Sequence, residues 1–141
     1  MLMATKLPRG EALMTYISVS QTPASRYVLQ HGSWFKPQPL PKGFRRRAAK
    51  NCYGNAGSLV LEGRAPFYVE GFAVDASGFS VQHAWAATED RAVIDATWPE
   101  PEACHYFGVA FTLQQFSALM LDRARWGLFA DGQVPAELVA K

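Results

Sequence analysis

The feature that most limits the possible folds is a change in the spacing of apolar residues near residue 66. Before this point the apolar residues recur at helical spacing, over residues 11–18, 23–31 and 48–61. After it they form strand-like runs, over 67–74, 81–87, 91–98 and 105–111. Turn sequences separate the first three runs, and an acidic, proline-bearing loop precedes the fourth. The pattern predicts an α+β fold, with N-terminal helices packed on a three- to four-stranded antiparallel meander.

Local signals mark the ends of several helices. Thr22 followed by Pro23 is typical of a helix start, because threonine caps the free amides and proline fits the first turn. Thr112 and Gln115 form a capping-box pattern that opens a C-terminal helix, which Gly127 is expected to close. Within the middle helix, Gly54 and Gly57 each weaken helix formation by about 1 kcal/mol relative to alanine. Their presence predicts that another backbone packs closely there.

The composition indicates one folded domain over residues 1–141. An N-terminal helical and extended region (1–47) precedes a core (48–111) and a C-terminal helix with a tail (112–141). With 18% charged and 13% aromatic residues, the chain can bury a core. A net charge of +2 is too small to indicate a nucleic-acid partner. No apolar run approaches the roughly 20 residues of a membrane span. Only two cysteines and no secretory signal pattern favour a reduced, cytoplasmic setting, although pairing of Cys52 with Cys104 stays open.

Three residues form the candidate catalytic group: Cys52 at the start of a helix, His83 on a strand and Asp95 on the next strand. A nucleophilic cysteine reacts as the thiolate, which a helix N-terminus and an imidazolium both favour. The imidazole in turn needs a carboxylate that fixes its tautomer and orientation. This order of residues predicts a Cys-His-Asp triad.

The connection between the two strands decides whether His83 and Asp95 can meet. A three-residue loop, 88–90, pairs Ala87 with Arg91 and places His83 directly opposite Asp95 on one face of the sheet. A two-residue loop would place the two side chains on opposite faces, because side chains alternate along a strand. The triad therefore requires an odd number of loop residues or a bulge.

Further residues are candidates for the surroundings of the triad. Trp85 shares the predicted face of His83, and Trp98 lies just past Asp95, where it would form a wall of the site. Backbone N–H groups at Cys52 and its neighbour can stabilise an oxyanion, and a side-chain amide commonly assists. The amide candidates are Asn51, Asn55 and Gln82.

The residues around the triad resemble the transglutaminase-like, papain-like cysteine superfamily. The resemblance lies in residues 51–56 (NCYGNA), 68–73 (YVEGFA), 83–85 (HAW) and 93–98 (VIDATW). It covers about residues 50–110 and is nearest to small bacterial and phage proteins with that core. It implies acyl chemistry through a thioester, that is, peptide or amide hydrolysis, deamidation or amide transfer. Cys52 would be the nucleophile, His83 the general base and acid, and Asp95 the orienting carboxylate. A peptide, a protein or another amide-bearing molecule would be the substrate, with no cofactor.

Other interpretations stay open. The same fold can be a pseudoenzyme or a non-catalytic binding module, for example a phage-encoded inhibitor that binds a host protein. Adjacent Cys104 and His105 do not match an established zinc pattern, so no metal site is predicted. The acidic loop before Cys104 is expected to raise the pKa of that thiol. The run 45–47 (RRR) is a solvated surface or attracts an anionic substrate, and Glu70 is an exposed or a cleft carboxylate.

Overall fold

The computed structural model describes residues 8–121, 123 and 125–139. Two helices, α1 (Arg9–Ser20) and α2 (Pro23–His31), precede a short strand, β1 (Ser33–Phe35). Helix α3 (Cys52–Leu61) leads into three strands, β2 (Phe67–Val74), β3 (Ser80–Ala87) and β4 (Val93–Ile94). Strand β5 (His105–Thr112) runs into α4 (Leu113–Met120), and α5 (Ala136–Val139) comes last in the described part of the chain. This is the predicted α+β class.

In the described residues the strands form one curled antiparallel sheet in the order β1-β5-β2-β3-β4. The meander of β2, β3 and β4 is as predicted, but β5 pairs with β2, and β1 adds a fifth strand beyond β5. The strand β1 was missed because three residues are too few to show a two-residue period. The curl brings Lys36, just after β1, into a backbone bridge with Ala92 beside β4.

Predicted boundaries are wrong at three elements, and one of them is β4, which covers only Val93–Ile94 of the expected run 91–98. The middle helix begins at Cys52, as the candidate triad requires, rather than at the start of the helical run 48–61, and Lys50 before it adopts a left-handed conformation with φ of 61°. The C-terminal helix α4 ends at Met120 rather than at Gly127. Its predicted start is confirmed, because the side chains of Thr112 and Gln115 exchange hydrogen bonds with each other's backbone. The cap of α2 by Thr22 is also confirmed.

The core lies on both faces of the sheet. On one face, alternate residues of the central strands pack against α1, α2, α3 and α4; they include Tyr68, Phe72, Ala84, Ala86, Phe107 and Phe111. On the other face, a smaller cluster is centred on Trp85 with Val69, Ala73, Val93, Tyr106 and Phe35. His83 is two residues from Trp85 along β3, so it belongs to the second face. His83 is thus on the face opposite the main helical layer, whereas Cys52, the first residue of α3, packs against the helical-face cluster.

The glycine prediction for α3 requires a correction. A Cβ atom added to Gly57 would lie 2.4 Å from the ring of Trp126, and one added to Gly54 would lie 2.7 Å from the side chain of Asn51. Side chains, not a second backbone, occupy the space that these glycines leave. The absence of a side chain at Gly57 therefore lets Trp126, from the C-terminal segment, rest on α3.

No helix among the described residues is both long and apolar enough to cross a membrane.

Candidate functional site

Cys52 is the first residue of α3 and is half-buried. The side chain of the preceding residue, Asn51, accepts no hydrogen bond from the first turn. The amides at the start of a helix have no partner within the helix, so those of Cys52 and Tyr53 are suited to bind an oxygen anion. The sulfur thus lies at the positive end of the helix dipole, where a thiolate is stabilised.

His83 meets Asp95, as the sequence predicts, but by a different register. The strands pair Ala87 with Val93, not with Arg91, so the connection has five residues. Because five is an odd number, His83 and Asp95 still point to the same face of the sheet, as the predicted triad requires. Asp95 is diagonal to His83 and lies past the end of β4, where its Oδ2 atom is 2.9 Å from Nε2 of His83.

Four hydrogen bonds hold the Asp95 carboxylate, which is 1% exposed. Its Oδ1 atom accepts from the backbone N–H groups of Thr97 and Trp98, at 2.9 and 3.2 Å. Its Oδ2 atom accepts from the Tyr106 hydroxyl at 2.7 Å and faces the imidazole. Burial acts to raise the pKa of Asp95, but the imidazole and these donors hold that pKa below its usual value. Asp95 is therefore a fixed carboxylate rather than a proton donor.

Both Asp95 and Cys52 shift the pKa of the His83 imidazole. Burial acts to lower the pKa of His83, but hydrogen bonds to Asp95 and to Cys52, together with the charges of both groups, raise it to about 9. Because Asp95 faces Nε2, the nitrogen left for the thiol is Nδ1. At neutral pH the raised pKa of His83 favours an imidazolium beside the Asp95 carboxylate.

Two tryptophans surround this imidazole. The ring of Trp98 stacks on His83 with centroids 3.7 Å apart and an angle of 14° between the planes. Trp85 is stacked at a longer 6.1 Å and is 1% exposed, so it lies beneath the site in the core. His83 itself is only 2% exposed. Trp98 therefore shields the bond between His83 and Asp95 from water, which strengthens it.

The structure separates the three amide candidates. Asn55 is buried, and its amide donates to the Ala48 carbonyl and to the Thr97 hydroxyl, each at 2.8 Å. It therefore joins α3 to the segment after Asp95 and is not available to an oxyanion. The Gln82 amide donates to the Phe129 carbonyl at 3.2 Å. Asn51 is exposed and makes only a long bond of 3.4 Å to Asn55.

The second cysteine is not part of this site. Cys104 is 2% exposed and donates to the Glu100 carbonyl, and burial together with nearby Asp95 and Asp75 raises the pKa of its thiol to about 11. The predicted direction is confirmed, but burial rather than the acidic loop is the main cause. Both cysteines are free thiols. No group of three or more histidine, cysteine or acidic side chains suited to a metal ion is present in the described residues.

The position of Glu70 corrects the expectation of an exposed or cleft residue. Its carboxylate is completely buried and accepts hydrogen bonds from the Tyr68 hydroxyl and from the backbone of Leu128 and Phe129. Sequence reasoning also missed Tyr106, because its link to Asp95 depends on the pairing of β5 with β2 rather than on any local pattern.

The arginine run before α3 divides into two groups. Arg47 pairs with Glu62 at 2.9 Å, and its backbone N–H donates to the Ala96 carbonyl. Arg45 and Arg46 are exposed. The run thus borders the segment that contains Asp95.

Comparison with models of protein families, with curated proteins and with solved structures gave no match to this chain.

Proposed function

We propose that the protein is a cysteine-dependent acyl-transfer enzyme that acts on amide bonds through a thioester. One observation carries the proposal: Nε2 of His83 faces the buried Asp95 carboxylate at 2.9 Å, and the Cys52 thiol at the start of α3 contributes to the raised pKa of this imidazole. A nucleophile, a proton carrier and an orienting group in this order are what thiol acyl transfer requires. Isolated structural cysteines do not need a histidine held in this way.

In the proposed reaction the Cys52 thiolate attacks the carbonyl carbon of the amide, and the carbonyl oxygen becomes an oxyanion. The N–H groups of Cys52 and Tyr53 stabilise that charge, because they lie at the free end of α3. The protonated His83 gives its proton to the leaving amine as the carbon–nitrogen bond breaks. Water, or a second amine, then attacks the thioester, and His83 accepts its proton while the sulfur leaves as the thiolate.

Asp95 serves this cycle as a fixed negative charge. It stabilises the imidazolium and keeps Nδ1 directed toward Cys52, and Tyr106, Thr97 and Trp98 hold the carboxylate in turn. A carboxylate so well supplied with donors does not take the proton from the ring.

The finer classification is part of the same proposal. The cysteine at a helix start, the histidine on a strand and the aspartate after the next strand are similar to the transglutaminase-like, papain-like core. The proposed substrate is accordingly a peptide, a protein or another amide-bearing molecule. Because the chemistry needs a free thiolate, we place the active protein in a reducing, cytoplasmic compartment.

Trapping of the acyl-enzyme tests the proposal. The protein is incubated with a small activated ester, such as a p-nitrophenyl acyl ester, and the intact mass is followed with the release of nitrophenol. We expect a burst of one equivalent and an acyl adduct on Cys52, both absent in Cys52→Ala and strongly reduced in His83→Ala. Cys104→Ala is the matched control and should keep the burst.

A wild-type protein that shows no burst and no adduct on Cys52, although it is folded, would contradict the enzyme proposal. The pseudoenzyme or protein-binding alternative would then account for the site.

A further inference from the structure

A buried carboxylate outside the triad fixes the segment that follows α4. Glu70 on β2 is 0% exposed. Its Oε1 atom accepts the N–H of Leu128 and its Oε2 atom that of Phe129, each at 2.7 Å. The Tyr68 hydroxyl also donates to Oε1, at 2.5 Å. Two consecutive amides in a segment without regular secondary structure are thus bound by one side chain.

This segment contacts the sequence neighbours of both reacting residues. A Cβ atom on Gly127 would lie 3.6 Å from the ring of Tyr53, the residue after Cys52. The Phe129 carbonyl accepts from Gln82, the residue before His83. Residues 127–129 are buried, and they lie against Tyr53 on α3 and against Gln82, whose side chain points to the face of β3 opposite His83.

We propose that Glu70 is a positioning residue for the Cys52 side of the site, acting through residues 127–129, which it fixes as a wall against Tyr53. The inference rests on the proposed function in so far as the wall limits which acyl groups reach Cys52. Without the carboxylate the two amides lose their acceptors, and an unpaired buried amide costs about 1–3 kcal/mol. Water would then replace the carboxylate as the acceptor for these amides, and residues 127–129 would move away from Tyr53.

The surroundings of Glu70 explain why a carboxylate is tolerated there. The two amides and the Tyr68 hydroxyl act to lower its pKa, and Arg123 adds a distant positive charge. Burial outweighs them and raises the pKa of Glu70. Burial raises the pKa of the Tyr53 phenol on α3, and the charge of Glu70 adds to this rise. Glu70 is therefore satisfied by the segment that it holds.

The test compares how fast a small and a bulky thiol reagent label Cys52, using iodoacetamide and a maleimide attached to a polyethylene glycol chain. Mass spectrometry separates the label on Cys52 from that on Cys104. In Glu70→Gln we expect the ratio of bulky to small labelling to rise by at least about fivefold, because a released segment no longer blocks the larger reagent. A loss of overall stability alone would not change this ratio in the folded protein.

Two variants serve as controls. Tyr68→Phe removes the hydroxyl donor but leaves both amide bonds, so its ratio should stay near the wild-type value. Glu89→Gln changes an exposed carboxylate in the β3–β4 connection and should have no effect. An unchanged ratio in folded Glu70→Gln would overturn the proposal, as would an equal rise in Tyr68→Phe.

Hydrogen exchange of the wild-type protein covers the case in which Glu70→Gln does not fold. The amides of Leu128 and Phe129 should exchange at least about tenfold more slowly than the amide of exposed Arg125. If the amides of Leu128 and Phe129 exchange as fast as that of Arg125, the proposal that Glu70 fixes residues 127–129 is overturned. The ratio of bulky to small labelling measures access to Cys52, whereas the effect of His83→Ala measures activation of its thiol. Either result can fail while the other holds, so failure of this inference can be distinguished from failure of the proposed function.

Discussion

Asp95 bonds His83 from a diagonal position rather than from the directly opposite one. The direct partner of His83 in the β3–β4 register would be Thr97, because Ala87 pairs with Val93. Asp95 reaches the imidazole because the chain leaves the ladder after Ile94 and its backbone amides at 97 and 98 turn back onto the carboxylate. The end of the strand therefore sets the geometry of the pair.

Replacement of Asp95 by asparagine should lower the pKa of His83. The carboxylate supplies both a hydrogen bond and a negative charge to the ring, whereas asparagine supplies no charge. We expect a titration of the His83 ring, followed by NMR, to have a midpoint near 9 in the wild type and a clearly lower one in Asp95→Asn. Asp90→Asn, which changes an exposed carboxylate, is the control. Equal midpoints in wild type and Asp95→Asn would contradict the role of Asp95.

The raised pKa of His83 also makes stability depend on pH. Its pKa in the folded state, about 9, is above the ordinary value of 6.5, so folding favours the protonated ring. That stabilisation is fully present below pH 6.5 and is lost as the pH rises through 9. It amounts to about 3 kcal/mol.

Urea unfolding at several pH values measures this term. The difference in unfolding free energy between wild type and His83→Asn should decrease between pH 6.5 and 9. His31→Asn, at the exposed end of α2, is the control for the substitution itself. A wild-type advantage that grows with pH would show that the ring is neutral in the folded protein.

Loss of the stacked ring of Trp98 should weaken the site more than the fold. Trp98→Ala admits water to the His83–Asp95 bond, and water around a hydrogen bond weakens it by raising the local dielectric. We expect the alkylation rate of Cys52 at pH 7 to fall. Trp34→Ala, at a tryptophan 44% exposed on β1, should leave the rate unchanged. Equal rates in Trp98→Ala and wild type would show that the stack is only packing.

The two asparagines near Cys52 should differ sharply in their effect on stability. Asn55→Ala leaves the Ala48 carbonyl without its amide donor and the Thr97 hydroxyl without a partner, which costs about 2–3 kcal/mol. Asn51→Ala removes an exposed side chain and should change the unfolding free energy by less than about 0.5 kcal/mol. Urea unfolding of both variants checks this. Similar losses in the two would contradict a purely structural role for Asn55.

Local signals in the sequence were sufficient for most of the helices and strands and for the choice of the candidate triad. The caps at Thr22 and Thr112 and the strand β2 follow from adjacent residues, and the structure has them as predicted. The choice of Cys52, His83 and Asp95 followed from residue types and order, and the same face for the last two followed from the parity of the loop.

Features set by distant pairing were not predictable in this way. Nothing in the sequence near Glu70 indicates that its carboxylate binds two backbone amides that lie 58 and 59 residues later. The same is true of Tyr106, whose hydroxyl reaches Asp95 only once β5 has paired with β2. The register of β4 was wrong because the position of Lys36, which bonds to both Arg91 and Val93, belongs to the curl of the whole sheet.

The most direct test of the central claim is the pH dependence of Cys52 alkylation by iodoacetamide in wild type and His83→Ala, with Cys104 followed separately by mass spectrometry. A thiolate stabilised by His83 predicts fast labelling of Cys52 below about pH 7 that collapses in the variant, while Cys104 stays slow in both. Slow labelling of Cys52 that rises only at alkaline pH and does not change in His83→Ala would contradict the account.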